Sequence, residues 1–191
     1  QPMDGIGDLC RKYNCLLLVD TVTSLGGVPL YLDEWKIDLA YSCSQKGLSC
    51  PPGLGPFSMN KRAENKMSKR KDKVPNWYLD VSLLNKYWGS DRVYHHTAPV
   101  NMNFGIREAL RLLAEEGLEA SWDRHRNNAN LLWNSLENIG LELQVKEELR
   151  LPTLTTVKIP AGVDGKAFTQ HLLNNFGVEI GGGLGDLAGK V

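Results

Sequence analysis

An α/β architecture follows from three parts of this 191-residue chain. "CLLLVD" (15–20) is a continuous apolar run, the pattern of a parallel strand covered on both faces. "VNMNFGIREALRLLAEE" (100–116) places its apolar residues at helical spacing. "TLTTVKIP" (153–160), "DGKAFTQHLLNNFG" (164–177) and "VEI" (178–180) read in order as strand, helix and strand, a compact βαβ-type module.

The remaining elements fall into place around these. "GIGDLCRKY" (5–13) reads as the end of a helix. "TSLGGVPL" (23–30) is rich in turn residues. "IDLAYSCS" (37–44) is the second strand and "PFSMN" (56–60) a candidate third. "KRAENKMSKRKDK" (61–73) suggests a surface helix and loop. Gly117 is a plausible stop for the helix over 100–116. A second long helix covers "EASWDRHRNNANLLWNSLENIG" (119–140) and ends at Gly140. Asp164 is the expected N-cap of the last helix and Gly177 its C′ residue. The pattern changes after the two long helices, and a domain boundary is expected near Gly117.

Charge excludes some functions. Lys plus Arg and Asp plus Glu both number 22, so the net charge is zero. No global field favours nucleic acid or an anionic membrane. The basic stretch 61–73 is read as a solvated face, because only Trp77 and Tyr78 follow it as aromatic neighbours. No apolar run is long enough to span a bilayer. Cys10, Cys15, Cys43 and Cys50 form no CxxC pair, and the histidines are not at metal-ligand spacing from them. Free buried thiols in a reducing compartment are expected. The chain begins with Gln and ends on "DLAGKV", which looks like a strand just starting, so an internal piece of a longer protein is expected.

The chemistry concentrates in "DLAYSCSQKGLSCPPGLGPFS" (38–58). Lys46 stands there among Ser, Cys, Gly and Pro, with no carboxylate within seven residues on either side. Ligands of open α/β sheets sit beyond the carboxyl ends of the strands. Asp20 ends the first strand, and Lys46 lies just past the second. A salt bridge between them is one explanation. Pyridoxal 5′-phosphate is another, since that cofactor needs an amine to bind covalently and a carboxylate to keep its ring nitrogen protonated. Small residues around Lys46 would let a flat ring approach the backbone.

"LLLVDTVTSLGG", "YSCSQKGLSCPPGLGPFS", "YWG", "YHHTAPV", "EEGLEASWDRH", "LPTLTTVKIPAGVD" and "VEIGGGLGDLAGKV" run in order along the whole chain. Together they resemble the alanine–glyoxylate aminotransferase family. Its near relatives include serine–pyruvate and serine–glyoxylate aminotransferases and insect 3-hydroxykynurenine transaminase, all fold-type I pyridoxal-phosphate enzymes of the class-V aminotransferases. The resemblance implies that residues 1–117 are the C-terminal part of a large cofactor-binding domain with a mostly parallel sheet and helices. Residues 118–191 would be part of a smaller α+β domain. It implies Lys46 as the Schiff-base lysine and proton shuttle, and Asp20 as partner of the pyridine nitrogen. Val22 would lie on the ring face, and Gln45 would hydrogen-bond near the phosphate. Tyr94 and Thr97, from "YHHT", would reach the phosphate of a partner subunit's cofactor, which implies a homodimer. His95 and His96 are expected to serve packing and backbone hydrogen bonds.

The activity so implied is transamination of alanine or serine with glyoxylate or pyruvate, in a peroxisome or mitochondrion, with small-molecule substrates and neither nucleic acid nor membrane as partner. There are departures. Family members usually carry Gly where Cys43 stands, Ala where Gly47 stands, and, in the animal enzymes, Pro where Asp186 stands. Both small changes near Lys46 are expected to leave room for the cofactor. The family's phosphate loop, ring-stacking aromatic and substrate-carboxylate arginine are not in this sequence, so the chain by itself is expected to be inactive. The alternatives are a 3-hydroxykynurenine transaminase, a cysteine-desulfurase-like lyase of the same fold type, and a non-catalytic fragment. A nucleic-acid binder using 61–73 is disfavoured by the neutral charge.

Overall fold

The computed structural model describes residues 2–191. Strands β1 (Leu18–Asp20), β2 (Leu39–Tyr41) and β3 (Phe57–Met59) form one sheet in that order. β1 and β2 are parallel, with Leu18 opposite Leu39 and Asp20 opposite Tyr41. β3 runs antiparallel to β2, with Phe57 opposite Tyr41. The sheet is therefore mixed, where a mostly parallel one was expected. The reason is local: Pro51, Pro52, Gly53 and Gly55 fold the chain back after Lys46, and the connection to β3 holds no crossover helix, the element that ordinarily joins parallel neighbours.

Helix α1 (Ile6–Lys12) starts at Gly5, whose φ of 75° glycine adopts without strain. Asp8 in its first turn and Arg11 and Lys12 in its last oppose the helix dipole. Helix α2 (Lys61–Ser68) is capped by Asn60, whose side-chain oxygen accepts the Ala63 N–H at 3.0 Å. Helix α3 (Val81–Trp88), capped by Asp80, was not foreseen. It spans only eight residues and buries none of them. Helices α4 (Val100–Glu116) and α5 (Leu118–Asn138) meet at Gly117, whose φ of 88° breaks the helical path. Helix α6 (Gly165–Phe176) has the expected ends: the Asp164 carboxylate accepts from the Lys166 and Ala167 N–H groups, and Gly177 is left-handed at φ 65°.

The expected strands over 153–160 and 178–180 are not formed. The first contributes only single bridges, Leu143 with Val157 and Leu151 with Leu154, and the second pairs with nothing among the described residues. A β-pattern becomes a strand only when a partner satisfies its backbone groups. Leu18 on β1 is likewise exposed rather than covered on both faces.

Two packing centres hold the chain. Asp38, before β2, is buried to 1% exposure. Its carboxylate accepts from the Leu17 N–H at 2.9 Å and from the Asn60 amide at 3.0 Å, and pairs with Arg11 at 3.2 Å and Arg62 at 2.7 Å. One side chain thus ties α1, the sheet and α2 together. The second centre joins Ala129 and Trp133 of α5 to Leu143, flanked by Leu136 and Val157. The Trp133 indole donates to Thr155 at 2.9 Å, and the Arg150 guanidinium lies 5.5 Å from the Trp133 ring. The accessible surface is 13646 Å², against about 9,100 Å² for a compact monomer of this mass. Tyr13, Phe104, Leu131, Ile139 and Phe176 are among the large apolar side chains left exposed. Among the described residues no helix is long and apolar enough to cross a membrane.

Candidate active site

The parallel register fixes the first half of the site. It brings Tyr41 beside Asp20, and the tyrosine hydroxyl donates to Asp20 Oδ2 at 2.7 Å. Asp20 Oδ1 accepts the Val22 N–H at 2.8 Å. These bonds, the tyrosine's first, hold the Asp20 carboxyl below its ordinary range, and the same contact pushes the Tyr41 hydroxyl up. The result is an ionised carboxylate at an exposed strand end, with lone pairs left to accept a further donor. Behind it, Thr21 and Ser42 stitch the strand ends: the Thr21 hydroxyl donates to the Tyr41 carbonyl at 2.7 Å, and that of Ser42 to the Thr21 carbonyl at 3.0 Å.

Lys46 sits on the loop after β2, and the loop is built on Ser44. Ser44 is fully buried. Its hydroxyl donates to the Pro51 carbonyl at 2.7 Å and accepts the Leu54 N–H at 3.3 Å. The Ser44 N–H donates to the Leu54 carbonyl at 3.0 Å, and the Ser49 N–H closes a turn on the Lys46 carbonyl at 2.8 Å. Gln45 and Lys46 are carried outward on this rigid base, both exposed. Lys46 forms no ion pair with Asp20, so the salt-bridge explanation of the two residues does not apply; the Asp20 carboxylate accepts from Tyr41 and Val22 instead.

The loop also meets the Gly-Gly turn at backbone distance. A Cβ on Gly47 would stand 2.3 Å from the Leu25 carbonyl oxygen. A side chain at this position would press on the turn backbone, so this backbone needs the glycine where the resemblance puts alanine. On the other side of the turn, α5 and the 151–154 bridge close in. Ser121 donates to the Gly26 carbonyl at 3.0 Å, Thr153 donates to the Thr23 carbonyl, and a Cβ on Gly27 would meet Thr153 Cγ2 at 2.3 Å.

Tyr94 and Thr97 form a separate group on the loop after α3. Their hydroxyls are 3.2 Å apart, and Tyr94 is 74% exposed. Among the described residues neither hydroxyl bonds to Asp20, Gln45 or Lys46. His95 does pack and bond as expected, stacked on Trp77 and hydrogen-bonded to its carbonyl. A side-chain contact between His95 and His96 was not expected. Sequence reasoning also missed Tyr41 and Ser44. Tyr41 could have been found by aligning "LVD" with "LAY" as neighbouring parallel strands; nothing in the sequence marks Ser44 as the buried anchor.

An outward amine on a braced loop, an ionised carboxylate at the adjoining strand end and a glycine-only contact beneath them suit a planar cationic ring that carries an aldehyde. The residues present fit pyridoxal phosphate.

Comparison with known proteins agrees with this chemistry. The aminotransferase class-V family model matches residues 1–185, and the chain belongs to that family. Pyridoxal 5′-phosphate is the family's cofactor. An alanine–glyoxylate aminotransferase of Callithrix jacchus is 51% identical over 195 residues, covering 100% of this chain and 47% of that protein. The crystal structure of an alanine–glyoxylate aminotransferase from Nostoc sp. superposes with a TM-score of 0.96 at 64% identity, over 100% of this chain and 50% of that one. That of a ureidoglycine–glyoxylate aminotransferase from Bacillus subtilis gives a TM-score of 0.94 at 39% identity, over 100% and 49%. The chain thus spans about half the length of the relatives it matches.

Proposed function

We propose that the whole protein transfers an amino group from alanine or serine to glyoxylate or pyruvate, with Lys46 as the amine that carries the cofactor. The observation behind this reading is the ionised Asp20 carboxylate at a strand end beside the loop that presents Lys46. The similarity to proteins named alanine–glyoxylate and ureidoglycine–glyoxylate aminotransferases supports the choice of acceptor. Serine and pyruvate rest on the family resemblance, as does a peroxisomal or mitochondrial location. We place the boundary between the large and small domains at Gly117.

Pyridoxal phosphate, when bound, supplies an aldehyde that links to an amine and a protonated ring that accepts an electron pair. Asp20 would keep the ring nitrogen protonated, because an anion beside it favours the charged form. Val22 and Gln45 would help to hold the cofactor, Val22 at the ring and Gln45 at the phosphate. Lys46 Nζ would take a proton from the substrate Cα and deliver it to the cofactor's former aldehyde carbon, a role that needs the amine neutral for part of the cycle. Tyr94 and Thr97 offer their hydroxyls to the phosphate of a second copy's cofactor. That these hydroxyls reach a second copy's cofactor, and with it a homodimer, rests on the family resemblance.

Borohydride reduction followed by peptide mapping tests the assignment. The reduced cofactor is expected on the peptide that holds Lys46. A Lys46→Ala protein that still retains cofactor covalently after reduction would end it.

A further inference from the structure

Between Asp91 and Val100 only His95 is buried, at 6% exposure. Its ring lies flat on the Trp77 indole, with centroids 4.0 Å apart and 8° between planes. His95 Nε2 is 3.3 Å from the Trp77 carbonyl oxygen, which can only accept, so Nε2 carries the proton. His95 Nδ1 is 2.9 Å from His96 Nδ1. Those two nitrogens can share one hydrogen. With His95 neutral, its Nδ1 accepts and His96 Nδ1 donates. His96 Nε2 makes no hydrogen bond among the described residues.

The titratable groups that face the pair are tyrosines. Tyr78, ahead of α3, stands 5.3 Å edge-on to His96 and 6.1 Å from His95. Tyr87, on α3, is 5.0 Å from His96 and 6.4 Å from both His95 and Tyr94. No Asp, Glu, Lys or Arg side chain among the described residues bonds to either ring. The sequence order is Tyr94, His95, His96, Thr97, so the two inner rings fix the backbone from which the two exposed hydroxyls project.

We propose that the His95–His96 pair is the positioning element of the Tyr94–Thr97 hydroxyls, through the hydrogen that the two Nδ1 atoms share. Its consequence for the cofactor rests on the reading that these hydroxyls hold a phosphate. A donor at His96 Nδ1 and an acceptor at His95 Nδ1 hold the two rings together, and a residue at position 96 that cannot donate leaves the His95 Nδ1 without its partner.

Two measurements on the whole protein test this. The first is nitrogen-15 NMR of the histidine rings at neutral pH, without cofactor. His96 is expected as the Nδ1–H tautomer and His95 as Nε2–H. In His95→Phe, which keeps a ring on Trp77 but no nitrogen, His96 should revert to the Nε2–H form. An Nε2–H His96 in the unsubstituted protein overturns the proposal. The second is the affinity for pyridoxal phosphate at about pH 7.5, near neutrality, where an unperturbed histidine is mostly uncharged. His96→Gln can still donate an amide N–H to His95, and His96→Leu cannot. His96→Leu should lose about fivefold in affinity, the scale of one hydrogen bond, and His96→Gln should retain most of it. Equal losses in the two variants overturn the proposal. If Tyr94→Phe combined with Thr97→Val leaves affinity unchanged, the phosphate reading of those hydroxyls fails, and the tautomer measurement alone decides the ring pair.

Discussion

Tyr41 and Asp20 are cross-strand neighbours in the parallel pair β1–β2, and the tyrosine hydroxyl donates to the carboxylate at 2.7 Å. A side chain on one strand thereby sets the charge state of a side chain on the next. Removing it in Tyr41→Phe takes away the larger of the two causes that lower the Asp20 pKa. The carboxyl then titrates at higher pH, and the acid limb of the rate moves up with it. The rate should fall by roughly fivefold, one hydrogen bond's worth. Asp20→Asn removes the charge itself and should cost roughly 10²–10³ in rate, with cofactor still bound. Near-normal turnover in Asp20→Asn would reduce the carboxylate to a structural partner of Tyr41.

Asp38 governs stability. Its carboxylate is buried and held by Arg11, Arg62, Asn60 and the Leu17 N–H. Asp38→Ala leaves two guanidinium groups without their partner and is expected to destabilise by about 3–5 kcal/mol, read as a lower denaturation midpoint. Burial opposes ionisation here, but the hydrogen bonds and the two arginines outweigh it, and the pKa is lowered. The stabilisation is therefore complete above the unfolded value of ~3.9 and is lost as pH falls below it. Removing Asp38 should flatten the acid side of the stability profile. An unchanged profile in Asp38→Ala counts against this assignment.

Gly27→Ala tests the contact between the turn and the 151–154 bridge. The new methyl would meet Thr153 Cγ2 at 2.3 Å, with His125 behind it at 3.4 Å. An overpacking cost of about 1–3 kcal/mol is expected. Thr153→Ser removes that methyl and keeps the hydroxyl that donates to the Thr23 carbonyl, so the double variant should recover most of the loss. No recovery in the double variant means that the clash lies elsewhere.

Trp133 anchors the second packing centre, 8% exposed and bonded to Thr155. Trp133→Ala should cost about 3–5 kcal/mol. Trp133→Phe should cost less, since it retains the ring against Ala129 and Leu143 and loses the indole N–H. Equal losses in the two variants would assign the effect to the hydrogen bond rather than to packing.

Residues 1–191 expressed alone should associate. The exposed surface exceeds that of a compact monomer by about half, and exposed apolar patches of this kind lead to self-association. Sedimentation at several concentrations measures it, and a monodisperse 21.3 kDa species throughout would contradict the surface reading.

The sequence by itself determined the helices with strong local signals. Asp164 and Gly177 bound α6 because capping is a contact between near neighbours in the chain. Gly117 separates α4 from α5 because a positive φ suits glycine. It also singled out Asp20 and Lys46, since an acid at a strand end and a lone amine among small residues are visible in composition alone. The tertiary structure decided everything that depends on a partner distant in sequence. It left 153–160 and 178–180 without a ladder, because strand pairing is non-local, and it turned β3 antiparallel. It put Tyr41 on Asp20 across 21 residues, buried Ser44 beneath Lys46, and set two histidine rings nitrogen to nitrogen against Trp77. No spacing rule encodes those contacts: a hydrogen bond between side chains depends on register and burial, and both are fixed only when the elements meet.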